Sequence, residues 1–273
     1  MIAIIVKLVA LAGFAVMFVW TLITGREEVP LTDRTQIIAV SEDDAAALGA
    51  QAFSEVLSKY QVVGSGPEQA RVRAVTGRIA AAADTITDVD YRWEVALLRS
   101  PDVNAFALPG GKVAVFAALL EIAATDDQLA AVIGHEVAHV LARHGAERLT
   151  QQKLADYGRQ AVAIAVGDLD PVTQTAILGA LGLGAEFGVL MPFSRKHESE
   201  ADRIGLILMA RACYDPRAAV QVWAGMAQAG GASPPEILST HPGHGSRVEA
   251  LNAAMGDALE ERREAGCPAL EGV

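Results

Sequence analysis

The sequence predicts a mostly helical α+β protein preceded by one N-terminal membrane-spanning helix. Three observations lead to this prediction. The first 24 residues are almost entirely apolar, strand-like runs are confined to residues 93–116, and from Leu119 onward apolar residues recur at helical spacing. We expect four parts, in order: an anchor at residues 1–25, a tether at 26–40, one main domain at 41–265 and a tail at 266–273.

The composition excludes several classes of protein. The chain has 273 residues, of which 22 are basic and 33 acidic, for a formal charge of -11. Such a chain is repelled by phosphate backbones, so we expect no nucleic-acid partner. With 52% hydrophobic and only 5% aromatic residues, it can bury a sizeable core, and its Ala, Val and Leu content suits packed helices better than a β-sandwich.

The N-terminal segment is predicted to enter a membrane. Lys7 is the only charged residue before Thr24, and Leu8 to Thr24 is long and apolar enough to cross a bilayer. A cleaved secretory signal has the same character, but Ile23 and Gly25 do not form the small-x-small site that cleavage needs. We therefore favour a retained anchor, and the few flanking charges leave its orientation open.

The elements of the first half follow from caps and periodicity. Ser41 caps a helix that runs to about Tyr60, and Pro67 opens a second helix to about Asp84. Short strands are predicted at 93–98, 104–108 and 112–116. The last two are joined by a Pro-Gly-Gly turn and should form a hairpin in a small antiparallel sheet.

The second half is predicted to be helical, and two of its features have alternatives. Helices are expected at 126–144, 149–166, from Asp170 onward, and at 197–212, 216–229 and 246–263. The run 176–193 is apolar but contains four Gly, Pro192 and Glu186, so a buried or interfacial helix is favoured over a second span. Cys213 and Cys267 are either two separate thiols or a disulfide closing a loop of about 55 residues, worth about 4 kcal/mol.

A metal-binding motif lies within the window that contains all six histidines. His135, Glu136 and His139 form the pattern H-E-x-x-H on a predicted helix. Residues four apart share a helix face, so both imidazoles can bind one metal while Glu136 lies beside it. Metal-assisted hydrolysis needs such a base close to the metal but off its open coordination site. The alternative is a helix with two structural histidines.

Spacing alone does not identify the third ligand. A metzincin needs glycine at position 142 and histidine at 145, whereas the chain has Ala142 and Gly145. His144 falls on the far side of the predicted helix and is expected to be structural or to interact with the helix dipole. The better candidates lie in the segment 194–202, where Glu198 and Asp202 share a helix face and Glu200 is not excluded by spacing.

Several motifs together resemble one peptidase family. The segments HEVAHVLARHGAER, SRKHESEAD and STHP resemble the membrane-associated gluzincins of the HtpX and CaaX-prenyl-protease type, especially their periplasmic and mitochondrial quality-control branch. The resemblance covers about Val29 to Leu251. It implies a zincin-type metalloprotease domain with an active-site helix and one Zn²⁺ per chain.

The resemblance also implies residue roles. Glu198 would be the third zinc ligand and Asp202 would hold a ligand imidazole, leaving Glu200 as a solvated or packing residue and His197 on the surface. His241 would stabilise an oxyanion or occupy the open zinc position as a latch, although it can also merely cap a turn. His244 is left outside the site, and Arg247 either holds groups of its own loop or is a surface charge.

A further implied role concerns the first strand of the hairpin. Residues 104–110 resemble the family's edge strand, which can accept substrate as an added antiparallel strand. The alternative is a simple core hairpin. The candidate substrate-binding residues are Asn104, Ala105, Phe106 and Ala107.

These observations favour a membrane-anchored zinc metalloendopeptidase with an extracytoplasmic catalytic domain. It would hydrolyse peptide bonds by zinc-activated water, with Glu136 as general base. The resemblance further implies that its substrates are misfolded envelope proteins. One alternative is a chaperone-like zinc protein whose site is latched or structural. Another is an exopeptidase, for which no signature stands out. The sequence does not indicate an oligomeric state.

Overall fold

The computed structural model describes residues 2–168, 170, 172–173, 193–229, 236–241 and 247–270. The apolar run 176–192, the helix expected after Asp170 and His244 therefore lie outside the described residues. The chain divides into two compact units. One comprises residues up to 28, 35–41 and the described residues from 146 to 173, and the other comprises 29–34, 42–145 and the described residues from 193 onward.

The first unit contains the predicted N-terminal span. Helix α1 (Ile2–Thr24) includes a stretch that is long and apolar enough to cross a membrane, by length and composition. Strands β1 (Arg26–Glu28) and β2 (Thr35–Ile37) then pair antiparallel within the expected tether. Gly25 permits this pairing, because a Cβ at this position would lie 2.4 Å from the Ile38 carbonyl oxygen.

The second unit is built around a four-stranded mixed sheet. After helix α2 (Glu42–Lys59) come β3 (Gln61–Val62), helix α3 (Pro67–Ala83), β4 (Glu94–Arg99), β5 (Ala105–Leu108) and β6 (Lys112–Phe116). The strand order is β3-β4-β6-β5. The β5–β6 hairpin is confirmed, but the expectation of a purely antiparallel sheet is wrong: β4 pairs parallel with β6, because the hairpin places β5 on the outside.

Helices follow the sheet along the described chain. They are α4 (Leu119–Ile122), α5 (Asp126–Leu141), α6 (His144–Val166), α7 (Arg195–Arg211), α8 (Arg217–Ala229), α9 (Glu236–Thr240) and α10 (Arg247–Glu264). α6 continues from the second unit into the first. The main core contains side chains from α3, α5, α7 and α8, among them Ile79, Ile133, Leu208 and Met226.

Helix α5 is shorter than the sequence predicted. It begins after Thr125, whose side chain accepts a hydrogen bond from the backbone of Gln128 in a capping box. It ends at Leu141, because Arg143 adopts a left-handed φ of 52° and a new helix begins at His144. The prediction of a helix continuous through His144 is therefore wrong. This break redirects the His144 side chain.

A close crossing of α5 and α7 determines the distance between the two motif helices. A Cβ on Gly205 would lie 3.1 Å from the backbone nitrogen of His135, and one on Gly134 would lie 3.1 Å from the Gly205 carbonyl oxygen. A side chain at either position would crowd the facing backbone, so glycine at both positions favours this close approach.

The two cysteines are joined. Cys213, just beyond the end of α7, forms a disulfide with Cys267, just beyond the end of α10. The structure thus decides between the two alternatives that the sequence left open.

Candidate metal centre

Helix α5 presents the H-E-x-x-H motif to the interior. His135, Glu136 and His139 are all buried, and the apolar residues around them hold α5 within the core. His135 and His139 face the same side, with their Nε2 atoms 3.1 Å apart. The helical spacing predicted this geometry, since residues four apart share a face.

Helix α7 brings a carboxylate to the same point. The two carboxylate oxygens of Glu198 lie 3.3 Å from His135 Nε2 and 3.5 Å from His139 Nε2. His241 follows α9, and its Nδ1 atom lies 3.1 Å from Glu198 and 3.3 Å from His135 Nε2. One donor atom from each of the four residues lies within 4.8 Å of all the others, and all four side chains are buried.

The donor set suits zinc. Imidazole nitrogens and one carboxylate are the ligands that zinc takes in catalytic sites, usually in tetrahedral geometry. The electrostatics agree with a bound cation: burial lowers the pKa of His135, but Asp202 and Glu198 outweigh burial and raise it to about 9. These carboxylates would stabilise a positive metal ion in the same way.

Asp202 contacts the His135 ring on the side away from the cluster. Its Oδ1 atom lies 2.9 Å from His135 Nδ1, so the ring donates to Asp202 when its Nε2 atom faces the metal position. Arg247 in turn donates to the same Asp202 oxygen over 2.6 Å. The Arg247 guanidinium stacks on the Trp223 ring at 3.6 Å from its centre, so it is held on two sides.

Glu136 lies beside the cluster and not within it. Its Oε1 atom is 3.6 Å from His241 Nε2, and within the described part of the chain that oxygen has no hydrogen-bond partner. Burial raises the pKa of the carboxyl, whereas the nearby imidazoles and a hydrogen bond from the Ala107 backbone oppose this rise.

Strand β5 is the edge strand that the sequence led us to expect. It pairs with β6, and the Phe116 amide donates to the Asn104 carbonyl, so residues 104, 106 and 108 face the hairpin partner. The backbone groups of Ala105 and Ala107 consequently face the other edge. There the Asn104 side chain accepts a hydrogen bond from the Ala105 amide at 2.9 Å, and the Ala107 amide donates to Glu136.

Comparison with known proteins identifies this arrangement. The family model described as Peptidase family M48 matches residues 67–255, which include all the site residues above. The chain belongs to peptidase family M48. It is a zinc metalloendopeptidase of that family, with His135, His139, Glu198 and His241 forming a cluster suited to the metal.

Similar proteins share this domain. The chain is 36% identical to "Mitochondrial metalloendopeptidase OMA1" of Schizosaccharomyces pombe over 250 residues, covering 89% of this chain and 71% of that protein. It is 33% identical to "Metalloendopeptidase OMA1, mitochondrial" of Bos taurus, covering 96% of this chain but 52% of that protein. It is 34% identical to "Beta-barrel assembly-enhancing protease" of Escherichia coli over 168 residues, covering 58% of this chain and 34% of that protein.

Two histidines of this M48 peptidase differ from their expected positions. His197 is buried and not on the surface, because it stacks on the His144 ring at a centroid distance of 4.5 Å. His144 is fully buried, and its Nδ1 atom lies 2.8 Å from Nδ1 of His139. Burial lowers the pKa of His144 to about 4 despite the opposing Glu200 carboxylate, so the ring is neutral near pH 7.

Glu200 was expected to be solvated or to pack, and the structure contradicts the first of these alternatives. Its carboxylate is buried and accepts hydrogen bonds from His144, Thr32 and Arg34 at 2.9, 2.6 and 2.7 Å. Burial raises the pKa of Glu200, but these three partners lower it to about 2, so the residue is ionised. Sequence analysis missed this role, because Thr32 and Arg34 lie far from Glu200 along the chain.

Arg247 was left undecided by the sequence, and the structure shows it buried against Asp202 and Trp223 and not on the surface. No local pattern marks this role. The one sequence signal for the extended site was the confinement of all six histidines to residues 135–244.

Proposed function

We propose that this chain is a membrane-anchored endopeptidase that removes misfolded envelope or membrane proteins. The observation that carries the proposal is the position of Glu136. Its buried carboxylate lies beside the imidazoles of His135 and His241 and beside Glu198, and it accepts a hydrogen bond from the Ala107 backbone on the outer edge of strand β5. A purely structural metal site has no use for a carboxylate beside the metal.

The ligands in this proposal are His135, His139 and Glu198. These residues would hold zinc, which would supply Lewis-acid activation of a water molecule toward a peptide carbonyl. Glu136 takes a proton from the attacking water and passes it to the leaving amine nitrogen. Asp202 keeps the His135 ring in the orientation and tautomer that binding needs.

Strand β5 would hold the substrate. An extended peptide added along the outer edge of β5 would take over the Ala105 and Ala107 amides from the Asn104 side chain and Glu136, and it would lie beside Glu136. The side chains of Asn104 and Phe106 would border this strand. Binding through main-chain groups reads little side-chain sequence, which suits clients recognised by being unfolded.

His241 would act as a latch. Its Nδ1 atom lies close enough to Glu198 and His135 for it to be a fourth ligand, and four protein ligands close a zinc site. Catalysis then requires His241 to leave. The 3.6 Å distance from its Nε2 atom to Glu136 supports a second role for His241, as a stabiliser of the oxyanion.

The location is proposed from three supports. Helix α1 is suited to anchoring the chain through residues 1–25, with the peptidase domain at 41–265. The Cys213–Cys267 disulfide is typical of an oxidising compartment, which favours a periplasmic or otherwise extracytoplasmic domain. The relatives are named as mitochondrial metalloendopeptidases and a β-barrel assembly-enhancing protease. These names support the proposal that the substrates are membrane or envelope proteins.

One observation favours a second candidate function. Because His241 completes the four-residue cluster, the site could remain closed, and the protein would then hold unfolded chains on β5 without cutting them.

The deciding experiment measures zinc content and casein cleavage together. The full chain in detergent is compared with Glu136→Gln and His241→Ala at matched zinc occupancy. The peptidase proposal expects cleavage by the wild type, loss of cleavage with zinc retained in Glu136→Gln, and faster cleavage in His241→Ala. If all three bind zinc and none cleaves, the binding-protein function replaces it.

A further inference from the structure

The two histidines of the zinc motif are supported in different ways. His135 donates directly to the Asp202 carboxylate. His139 instead meets another imidazole: its Nε2 atom faces the metal cluster and its Nδ1 atom lies 2.8 Å from Nδ1 of His144. An imidazole can accept a hydrogen bond from a ligand ring only through its unprotonated nitrogen. The support for His139 therefore depends on which nitrogen of His144 carries the proton.

Only one set of protons satisfies the whole chain of contacts. With Nε2 of His139 facing the metal, its Nδ1 atom carries the proton and donates to Nδ1 of His144. Because Nδ1 of His144 accepts this hydrogen bond, the ring proton of His144 is on Nε2, which lies 2.9 Å from Glu200 Oε2 and donates to it. Glu200 thus fixes the tautomer of His144, and His144 fixes that of His139.

Glu200 is itself held at both oxygens. Thr32 donates its hydroxyl to Oε1 over 2.6 Å, and Arg34 donates through Nε to Oε2 over 2.7 Å. The Glu200 and Arg34 side chains are 6% and 11% exposed, so this ion pair is shielded from water and from screening by salt.

The segment that carries Thr32 and Arg34 has a defined shape. The Val29 side chain is buried in the main core, and the amide of Asp33 donates to the Val29 carbonyl over 3.2 Å. Leu31 and Asp33 adopt left-handed φ angles of 67° and 52°, a conformation that non-glycine residues adopt only when the surroundings impose it. This short segment between β1 and β2 therefore presents Thr32 and Arg34 in fixed positions.

We propose that His144 and Glu200 are positioning residues that hold the zinc ligand His139. Thr32 and Arg34, from the segment following α1, hold Glu200 in turn, and we call this chain of hydrogen bonds the relay. The inference rests on the zinc peptidase function proposed above and deepens it. It makes residues 29–34 part of the metal centre, where the sequence indicated only a tether.

The test measures zinc affinity directly on the full chain in detergent. Zinc dissociation constants come from competition with a chelator, and the visible spectrum of the cobalt-substituted protein reports ligand geometry. Glu200→Gln keeps the shape of the side chain but removes its charge, and Glu249→Gln, at an exposed position on α10, is the matched control. We expect Glu200→Gln to weaken zinc binding roughly 10- to 100-fold and to alter the cobalt spectrum, with the control unchanged.

A second pair of variants keeps the test decisive if Glu200→Gln does not fold. Thr32→Val removes the hydroxyl that Glu200 accepts from, whereas Thr32→Ser retains it. Zinc binding should weaken several-fold in Thr32→Val and return to the wild-type value in Thr32→Ser. Because a merely structural Thr32 would change the melting temperature and not the zinc affinity of the folded protein, this rescue is specific to the relay.

The outcomes separate this inference from the proposed function. If folded Glu200→Gln or the Thr32 pair binds zinc within twofold of the wild type with an unchanged cobalt spectrum, the relay is wrong even though the wild type cleaves casein. If the wild type binds zinc and never cleaves, the peptidase proposal fails, while weakened zinc binding in the variants still supports the relay.

Discussion

Breaking the Cys213–Cys267 disulfide should lower the free energy of unfolding by a calculable amount. The two residues are separated by 54 positions in sequence. In the chain-entropy treatment, closing a loop of this length stabilises the folded state by about 4 kcal/mol. The Arg262 side chain donates to the carbonyls of Tyr214 and Pro268, so the native tail keeps these contacts when the bond is absent. The change should therefore come mainly from the unfolded chain.

The two cysteines differ in backbone conformation, which provides an internal comparison. Cys213 has a φ of 59°, at the end of a helix where the Tyr214 amide donates to the Met209 carbonyl over 2.9 Å. Glycine is usual at this position, and for other residues the left-handed conformation costs roughly 1–2 kcal/mol of folding stability. Cys213→Gly should thus lower the free energy of unfolding by about 3 kcal/mol, because glycine relieves part of the backbone cost. Cys267→Ala should lower it by about 4 kcal/mol.

The assay is urea unfolding of the detergent-solubilised chain, followed by tryptophan fluorescence with and without reductant. Under oxidising conditions both variants should unfold at lower urea than the wild type, Cys267→Ala at the lowest. With reductant, the wild type should fall to the level of a cysteine-to-alanine variant. A wild type whose midpoint is unaffected by reduction, or a Cys213→Gly variant less stable than Cys267→Ala, would refute the reasoning.

Three further predictions concern the metal centre. Gly205→Ala should lower stability by about 1–3 kcal/mol, because its Cβ meets the backbone of α5, and calorimetry should show a lower melting temperature together with weaker zinc binding. Asp202→Asn should reduce zinc affinity or activity roughly 10- to 100-fold with little change in circular dichroism, since the ring of His135 loses the negative charge of the carboxylate that it donates to. Removing zinc with a chelator should lower the melting temperature. A free zinc concentration about a thousandfold above the dissociation constant should restore about 4 kcal/mol of the free energy of unfolding. A melting temperature independent of zinc would contradict a site formed only in the folded chain.

The parts of the site that the sequence predicted are those set by local geometry. His135 and His139 lie one helical turn apart, and their shared face follows from the helix itself. The hairpin turn was likewise readable, because Gly110 and Gly111 adopt φ angles of 78° and 81° that favour glycine. Glu198 needed the family resemblance, since spacing did not separate it from its neighbours on α7.

The parts that were missed depend on contacts between distant segments. The expected position of His144, opposite His135, assumed a continuous helix, and the left-handed Arg143 invalidates that assumption. Glu200 meets Thr32 at a sequence separation of 168, and Arg247 meets Asp202 at a separation of 45. No periodicity within a window of a few turns contains this information. His197 on α7 was consequently assigned to the surface.

The register between α5 and α7 explains why the ligands meet at all. Gly134 directly precedes His135, and its backbone touches that of Gly205, which follows Asp202 by three residues and Glu198 by seven. Residues three and seven apart lie on the face that includes Gly205, so both carboxylates point toward α5 when the two glycines are in contact. A slip of one helical turn, about 5.4 Å, would move Glu198 out of reach of both imidazoles. The glycine pair therefore determines the geometry of the metal centre as directly as the ligands do, although neither glycine has a side chain to contribute to it.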